Sequence, residues 1–303
     1  MFRLLKKRII SYVQNSITPT IAERTSAQVL NALRRDRLMQ SSLNSQEPGI
    51  TERSEGRNPL VISLTTHGRR LYEVCIAIES IMQGSVKPNT IVLWIGENEP
   101  TELPVSLQRQ MNRGLTVCRT RDIRSYTKLV PALREYPQAD IVTIDDDILY
   151  PQDFLENLLA IHRLHPEAIV ANMVMRLTRA ADGVPEGIRQ WPYTLERRSE
   201  TDADLYFEGF GGVLYPAGSL PQETLNESVF MNISPTNDDA WFNAMARLAG
   251  RPIVPCDMHP YDYIAAVNPN AQSTALYITN NTAENLNDKQ IRRVWEHYHL
   301  QGK

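Results

Sequence analysis

The segment ADIVTIDDDILYPQDF, residues 139–154, ends an apolar run in three consecutive aspartates, Asp145, Asp146 and Asp147. Two carboxylates about 4 Å apart repel by roughly 4 kcal/mol at an effective dielectric near 20, so three together require exposure, protonation or a cation. A divalent metal is the simplest relief: hard oxygen ligands with open coordination positions suit Mn2+ or Mg2+ shared with substrate phosphates. In extended backbone, side chains two apart point the same way, so Asp145 and Asp147 can share a ligand while Asp146 turns aside. A helix N-terminus would also favour acids, but three exceed what one cap requires.

A second acidic pair, Asp238-Asp239, lies in PTNDDAWFNAM. This segment fits a helix start, with Thr236 or Asn237 as cap, acids in the first turn, and Trp241, Met245 and Leu248 on the buried stripe. Capping is one complete account of the pair, and a further role beside capping stays open. Trp191 and Tyr193, in a polar stretch, have rings that can stack on a bound ligand or pack in a core.

The elements that position these residues read as an α/β domain. LVISL (60–64), TIVLWIG (90–96), LTVCRT (115–120), DIVTI (140–144), AIVANMVM (168–175), GFGGVLYP (209–216) and RPIVPC (251–256) read as strands. Helical spacing recurs within 71–82, 104–113, 126–136, 154–164, 241–250 and 288–299, and 176–206 is polar and irregular. Strands alternating with helices predict a largely parallel sheet covered on both faces. In such sheets ligands bind at the carboxyl ends of strands, where the turn Thr65-Thr66-His67-Gly68-Arg69 and the three aspartates both fall. There is no GxGxxG after the first strand and no GxxxxGK[ST], so a dinucleotide fold or phosphate-loop ATPase has no support.

The N-terminal forty residues differ from the rest. They carry eight Arg or Lys against two acids, a local charge of +6 in a chain of net −3. MFRLLKKRIISYV places Phe2, Leu5, Ile9 and Tyr12 on one helical stripe with Arg3, Lys6 and Lys7 largely opposite, as in a basic amphipathic helix lying in a membrane interface. Packing on the chain's own domain or on a second copy in a homo-oligomer is the alternative. The division expected is a helical arm over 1–40, a polar linker over 41–58 and one domain over 59–303. No run approaches the ~18 apolar residues needed to cross a bilayer. Three cysteines without CxxC spacing favour a reducing compartment, so the cytoplasm, or the cytoplasmic face of the inner membrane, is the expected location. The near-neutral net charge gives no reason to propose nucleic acid as a partner.

The arrangement of strand, DDDILYP and helix resembles the DXD signature of nucleotide-sugar-dependent glycosyltransferases with the GT-A fold. LVISLTTHGRRLYEVCIAIESIMQGSVKPNTIVLWIG is similar to the opening of that fold, YTKLVPALREYPQADIVTIDDD to its basic-residue helix leading into DXD, and GFGGVLYP and NDDAWFNAMARLAG to its acceptor-side glycine segment and late acidic pair. The nearest likenesses are bacterial capsular-polysaccharide glycosyltransferases and, more distantly, exostosin-like enzymes, over about residues 59–257.

The resemblance implies a Mn2+ or Mg2+ ion on Asp147 and Asp145, completed by the late His259. It implies that Thr65, Arg69, Lys128, Asp145 and Asp146 hold the nucleotide sugar. Asp239, with Asp238 as the alternative, would be the acceptor-side carboxylate, and Gly211, Gly212, Trp191 and Tyr193 would line the acceptor. The activity implied is transfer of a hexosyl or N-acetylhexosaminyl group, from a UDP-sugar, to a hydroxyl of a capsule, lipopolysaccharide or similar surface glycan. A sugar-phosphate nucleotidyltransferase is the rival enzyme, although TTHGRR supplies one glycine where that class wants a glycine-rich loop. A glycan-binding or scaffold protein with a structural cation is the non-catalytic rival.

Overall fold

A computed structural model describes residues 18–52, 58–181, 183–193, 204–256, 265–268 and 285–300. Strands β1 (Leu60–Thr66), β2 (Thr90–Gly96), β3 (Leu115–Thr120), β4 (Asp140–Thr143), β6 (Ile169–Arg176), β7 (Leu205–Tyr215) and β8 (Ile253–Pro255) form one sheet in the order β3-β2-β1-β4-β7-β6-β8. β5 (Ile148–Leu149) and β9 (Ala265–Ala266) make a separate antiparallel pair. β7 runs antiparallel to both β4 and β6, while the pairs β1-β2, β1-β4, β2-β3 and β6-β8 are parallel. The sheet is therefore the mostly parallel α/β sheet expected, with β7 reversed within it.

Eight α-helices among the described residues accompany it: α1 (Thr18–Asn44), α2 (Val74–Met82), α3 (Val105–Met111), α4 (Val130–Glu135), α5 (Phe154–Leu164), α6 (Glu227–Ile233), α7 (Asp238–Leu248) and α8 (Leu286–His297). Alternate residues of the strands feed two cores. Val61, Val92 and Trp94 pack with α4, α7 and α8 on one face, and Ile62, Leu64, Ile91 and Leu93 with α2, α5 and the end of α1 on the other.

Several boundaries differ from the sequence expectation for local reasons. The 71–82 helix begins as a 3-10 turn, Gly68–Tyr72, and the 126–136 helix splits into a 3-10 turn, Arg124–Lys128, and α4. Pro131, in the first turn of α4, has no N–H to extend a continuous helix. α6 and β5 are too short to show periodicity and were not expected. α1 continues through residue 40 to Asn44, and the segment read as a linker is docked. Gly49 N–H donates to the Arg113 carbonyl at 2.9 Å, Arg113 Nε to the Glu47 carbonyl at 2.6 Å, and Thr51 N–H to the Pro88 carbonyl at 2.9 Å. Arg113 is itself held by buried Glu79 at 2.7 Å.

Antiparallel β7 brings its amino-terminal half to the carboxyl end of β4. The pairing ends at Thr143 opposite Val213, so residues 208–210 run on past the end of β4, alongside the aspartates.

Candidate active site

After Thr143 the chain turns out of the sheet into the three aspartates, and Tyr150 braces that turn. Asp145 N–H donates to Tyr150 Oη at 2.9 Å, and the phenol donates to the Phe210 carbonyl at 3.1 Å. Tyr150 is buried and packs on Phe154 at 4.5 Å. The apolar residues that follow the acids thus hold the loop closed while the carboxylates face outward or toward cations.

The cations are Lys128 and Arg70. Lys128 Nζ lies 2.8 Å from Asp145 Oδ1 and 3.6 Å from Asp238 Oδ2, linking the end of β4 to the start of α7. The Ser63 hydroxyl fixes its backbone by donating to the Lys128 carbonyl, and Tyr126, two residues earlier, donates to the Ser234 carbonyl at 2.6 Å and stacks on Phe230. Burial works to lower the Lys128 pKa, but Asp145, Asp238 and Asp239 more than offset it and hold the ammonium well above its ordinary value. Arg70 Nη1 reaches Asp146 Oδ1 at 2.9 Å and Asp147 Oδ2 at 3.4 Å. Asp146 also accepts from Thr66 Oγ1 at 2.6 Å. Its burial raises the carboxyl pKa against the opposing pull of Arg70 and Thr66.

On α7, Asn237, one of the two caps expected, accepts from Ala240 N–H at 2.9 Å. Asp239 Oδ1 accepts from Gly209 N–H at 2.9 Å. Asn243, one turn on, clamps α7 to β7: its amide donates to the Phe207 and Asp239 carbonyls, and its oxygen accepts from Phe207 N–H. Burial, then the adjacent charge of Asp238, pushes the Asp239 carboxyl well above the usual range, with Lys128 pulling the other way. A carboxylate so placed is a stronger base than one in water.

Five carboxylates, Asp145, Asp146, Asp147, Asp238 and Asp239, therefore converge on two cations, which leaves excess negative charge. Among the described residues no three His, Cys, Asp or Glu side chains form a cage for an ion. A hard cation that keeps waters and shares substrate phosphates needs only one or two carboxylates. Asp145 and Asp147 fit that need: their side chains keep 27% and 16% of their exposure, against 7% for Asp146.

The structure gathers some expected residues and removes others. Lys128, Asp145, Asp146, Asp147, Asp238 and Asp239 form one network. Thr65 lies at the same sheet edge, its hydroxyl donating to the Trp94 carbonyl at 3.0 Å. Arg69 is exposed, and its neighbour Arg70 makes the inward contact instead, because the tight 3-10 turn presents successive side chains in different directions. Trp191 is a correction: it is 3% exposed and packs edge-on against Tyr206 at 5.0 Å, so its face is covered by core. Gly211 and Gly212 are corrections too, since they accommodate packing. A Cβ on Gly211 would stand 2.3 Å from Met173 Cγ, and one on Gly212 2.5 Å from the Phe154 ring. The glycine that faces the site is Gly209, whose Cβ would meet Asp239 Oδ1 and Lys128 Nζ, each at 2.9 Å. Tyr193 donates to Glu208 Oε2 at 2.7 Å. His259 lies outside the described residues. Arg70, Thr66, Gly209, Glu208 and Asn243 were not singled out by sequence. The doubled arginine and the FEGFGG glycines signalled the region but not which member points inward.

Neither a protein-family model nor a curated protein sequence matches the chain. Solved structures with a similar fold include S. aureus TarS 1–349, at 14% identity over 80% of this chain and 72% of that one, with a TM-score of 0.47. GalNAc-T7 with UDP, GalNAc and Mn2+ is similar at 10% identity over 71% of this chain and 46% of that one, TM-score 0.45. CMP:2-keto-3-deoxy-manno-octonic acid synthetase complexed with CTP is similar at 12% identity over 74% of this chain and 98% of that one, TM-score 0.41.

Proposed function

We propose that this chain is a metal-dependent GT-A glycosyltransferase that moves a hexosyl or N-acetylhexosaminyl group from a UDP-sugar to a hydroxyl of a surface glycan. The observation that carries the reading is Lys128, which ties Asp145 at the end of β4 to Asp238 at the start of α7 in one network. A site for a diphosphate and a site for a proton acceptor then lie side by side, as transfer between two bound substrates requires. The ordered resemblance of four sequence segments to that family supports the same reading.

In the reaction the acceptor oxygen bonds to the anomeric carbon as the bond from that carbon to the β-phosphate oxygen breaks. The electron pair of the broken bond leaves on the diphosphate. Asp239, held through Gly209 and made more basic by burial, takes the acceptor proton at Oδ2. Arg70 orients Asp146 and Asp147, and Lys128 supplies fixed positive charge beside the departing diphosphate without reorganising. Asp147 and Asp145 would hold the divalent cation, whose chemistry is Lewis-acid neutralisation of charge on that diphosphate. Direct attack with Asp239 as base predicts inversion at the anomeric carbon. A retained configuration in the product would remove Asp239 from that role, although the capsular and exostosin likenesses lean towards retention.

The test is thermal stability with UDP, GDP, CMP and dTDP, each with and without Mn2+, for wild type and Asp147→Ala. At about 100 times its dissociation constant a ligand adds roughly 2.7 kcal/mol of stability. One nucleotide should shift wild type only when Mn2+ is present and leave Asp147→Ala unmoved. No shift with any nucleotide would defeat the reading. Release of pyrophosphate from a nucleoside triphosphate and a sugar phosphate, without release of nucleoside diphosphate, would favour the nucleotidyltransferase. We also propose that residues 1–40 place the enzyme at the cytoplasmic face of an anionic membrane, on the support of their charge and the exposed apolar face of α1.

A further inference from the structure

β7 carries a carboxylate that the mechanism above does not use. Glu208 is two residues beyond Tyr206 and so on the same strand face. Tyr206 is fully buried against Trp191, whereas Glu208, the next side chain along, is only partly covered. Its Oε2 accepts from the Tyr193 hydroxyl at 2.7 Å, and Tyr193 is held there by a backbone bridge to Met175 on β6. Among the described residues Glu208 has no cationic partner, and its Oε1 accepts no hydrogen bond. Its Oε1 is not sealed from solvent, so a ligand hydroxyl can take the place of water there without leaving a buried oxygen unpaired. Glu208 also adjoins the reaction centre: the next residue, Gly209, holds Asp239, and the Glu208 charge contributes to the raised pKa of Asp239.

We propose that Glu208 and Tyr193 form a specificity pair that reads a hydroxyl of the sugar bound beside Asp239, with Glu208 Oε1 accepting the hydroxyl hydrogen and Tyr193 fixing the carboxylate. The inference rests on the glycosyltransferase reading and extends it. A neutral hydroxyl needs only an acceptor here, whereas a phosphate or a carboxylated sugar would meet repulsion from Glu208 and the neighbouring aspartates. The pair serves selection rather than bond-making, since a site built around a substrate hydroxyl strongly rejects an analogue lacking it. The hydroxyl belongs to the donor sugar or to the acceptor.

Full-length wild type, Glu208→Gln, Glu208→Ala and Tyr193→Phe separate these roles. Three readouts are needed: the Mn2+-dependent UDP stability shift, steady-state transfer with both substrates varied, and saturation-transfer NMR with a panel of methyl glycosides and their monodeoxy analogues. Glu208→Ala should keep the UDP shift, raise one sugar KM at least tenfold with kcat within about threefold, and bind one glycoside and its deoxy analogue alike. Tyr193→Phe should show a smaller change in the same KM. A raised acceptor KM assigns the hydroxyl to the acceptor, and a raised donor KM assigns it to the donor sugar. The proposal is overturned if Glu208→Ala keeps both KM values and the glycoside discrimination, if only its melting temperature moves, or if wild type binds no glycoside. If wild type binds no nucleotide, the transferase reading fails separately, and the NMR comparison alone still decides whether Glu208 reads a sugar.

Discussion

Lys128 meets carboxylates from two elements, so removing its charge should affect both. Its positive charge favours ionised Asp239, which burial and Asp238 otherwise keep protonated to higher pH than an ordinary carboxyl. Replacing Lys128 with Met should therefore raise the Asp239 pKa further. The acid limb of kcat/KM should lie above the usual carboxylate range in wild type and move to still higher pH in Lys128→Met, and turnover should fall by about 10²-fold or more. Stability carries its own signature with a definite sign. A carboxyl whose folded pKa is raised holds its proton more tightly when folded, so its contribution is greatest at low pH and is lost as pH rises through the folded value. Asp239→Asn should abolish transfer while lacking that loss, so its melting temperature should fall less than that of wild type as pH rises above the ordinary carboxyl range. If Asp239→Asn retains activity with an unchanged pH profile, another group accepts the proton.

At the scale of elements, β7 separates two kinds of glycine within one short run. A side chain at Gly209 would press on the flexible ends of Asp239 and Lys128, whereas one at Gly211 would press on Met173, including its backbone nitrogen at 3.2 Å. Gly209→Ala should cut transfer by tenfold or more with little change in the urea midpoint. Gly211→Ala should cost about 1–3 kcal/mol of stability, the range for overpacking a well-filled core. Equal stability losses in the two variants would contradict this division. The same strand shows how far a sequence can be read. β1 through β4 were legible because runs such as TIVLWIG and DIVTI are apolar, β-branched and bounded by turns, and the start of α7 was legible from its local pattern to within Thr236 or Asn237 as its cap. The direction of β7 was not, because orientation within a sheet depends on partners far along the chain. Which of Arg69 and Arg70 turns inward depends on a 3-10 turn that no periodicity reveals, and the choice between stacking and packing at Trp191 stayed open in the sequence because burial by distant residues leaves no local trace. The acidic network was foreseen as two clusters, and the tertiary fold joined them through Lys128.

The whole molecule is asymmetric, and α1 shows why. Its carboxyl-terminal part is anchored, with Leu38 at 3% and Ser42 at 0% exposure, and Arg34 donates to the Tyr150 carbonyl in the loop that follows the aspartates. Five to nine residues before Leu38, Val29, Leu30 and Leu33 are 52%, 65% and 61% exposed. The end of the helix is thus packed on the chain's own domain, and this face is not covered by it. Three large aliphatic side chains clustered on one helix form an exposed apolar face, and the eight basic residues among the first forty suit the anionic membrane proposed for it. Burying such side chains is worth up to about 1.5–3 kcal/mol each, so partial insertion of three, added to attraction of the basic residues, suffices for reversible membrane binding. Because the same helix touches the Tyr150 turn, docking it would hold the catalytic mouth at a fixed height above the lipid. Full-length protein should sediment with vesicles containing phosphatidylglycerol, less so at high salt, and not with vesicles of phosphatidylcholine alone. Replacing Val29, Leu30 and Leu33 together with Glu should reduce that binding at least tenfold while leaving the UDP-dependent stability shift intact. Unchanged sedimentation of the variant, or none by wild type, would refute membrane contact through this face. A wild-type dimer in light scattering that the triple variant dissociates would give the face to a second copy of the chain instead.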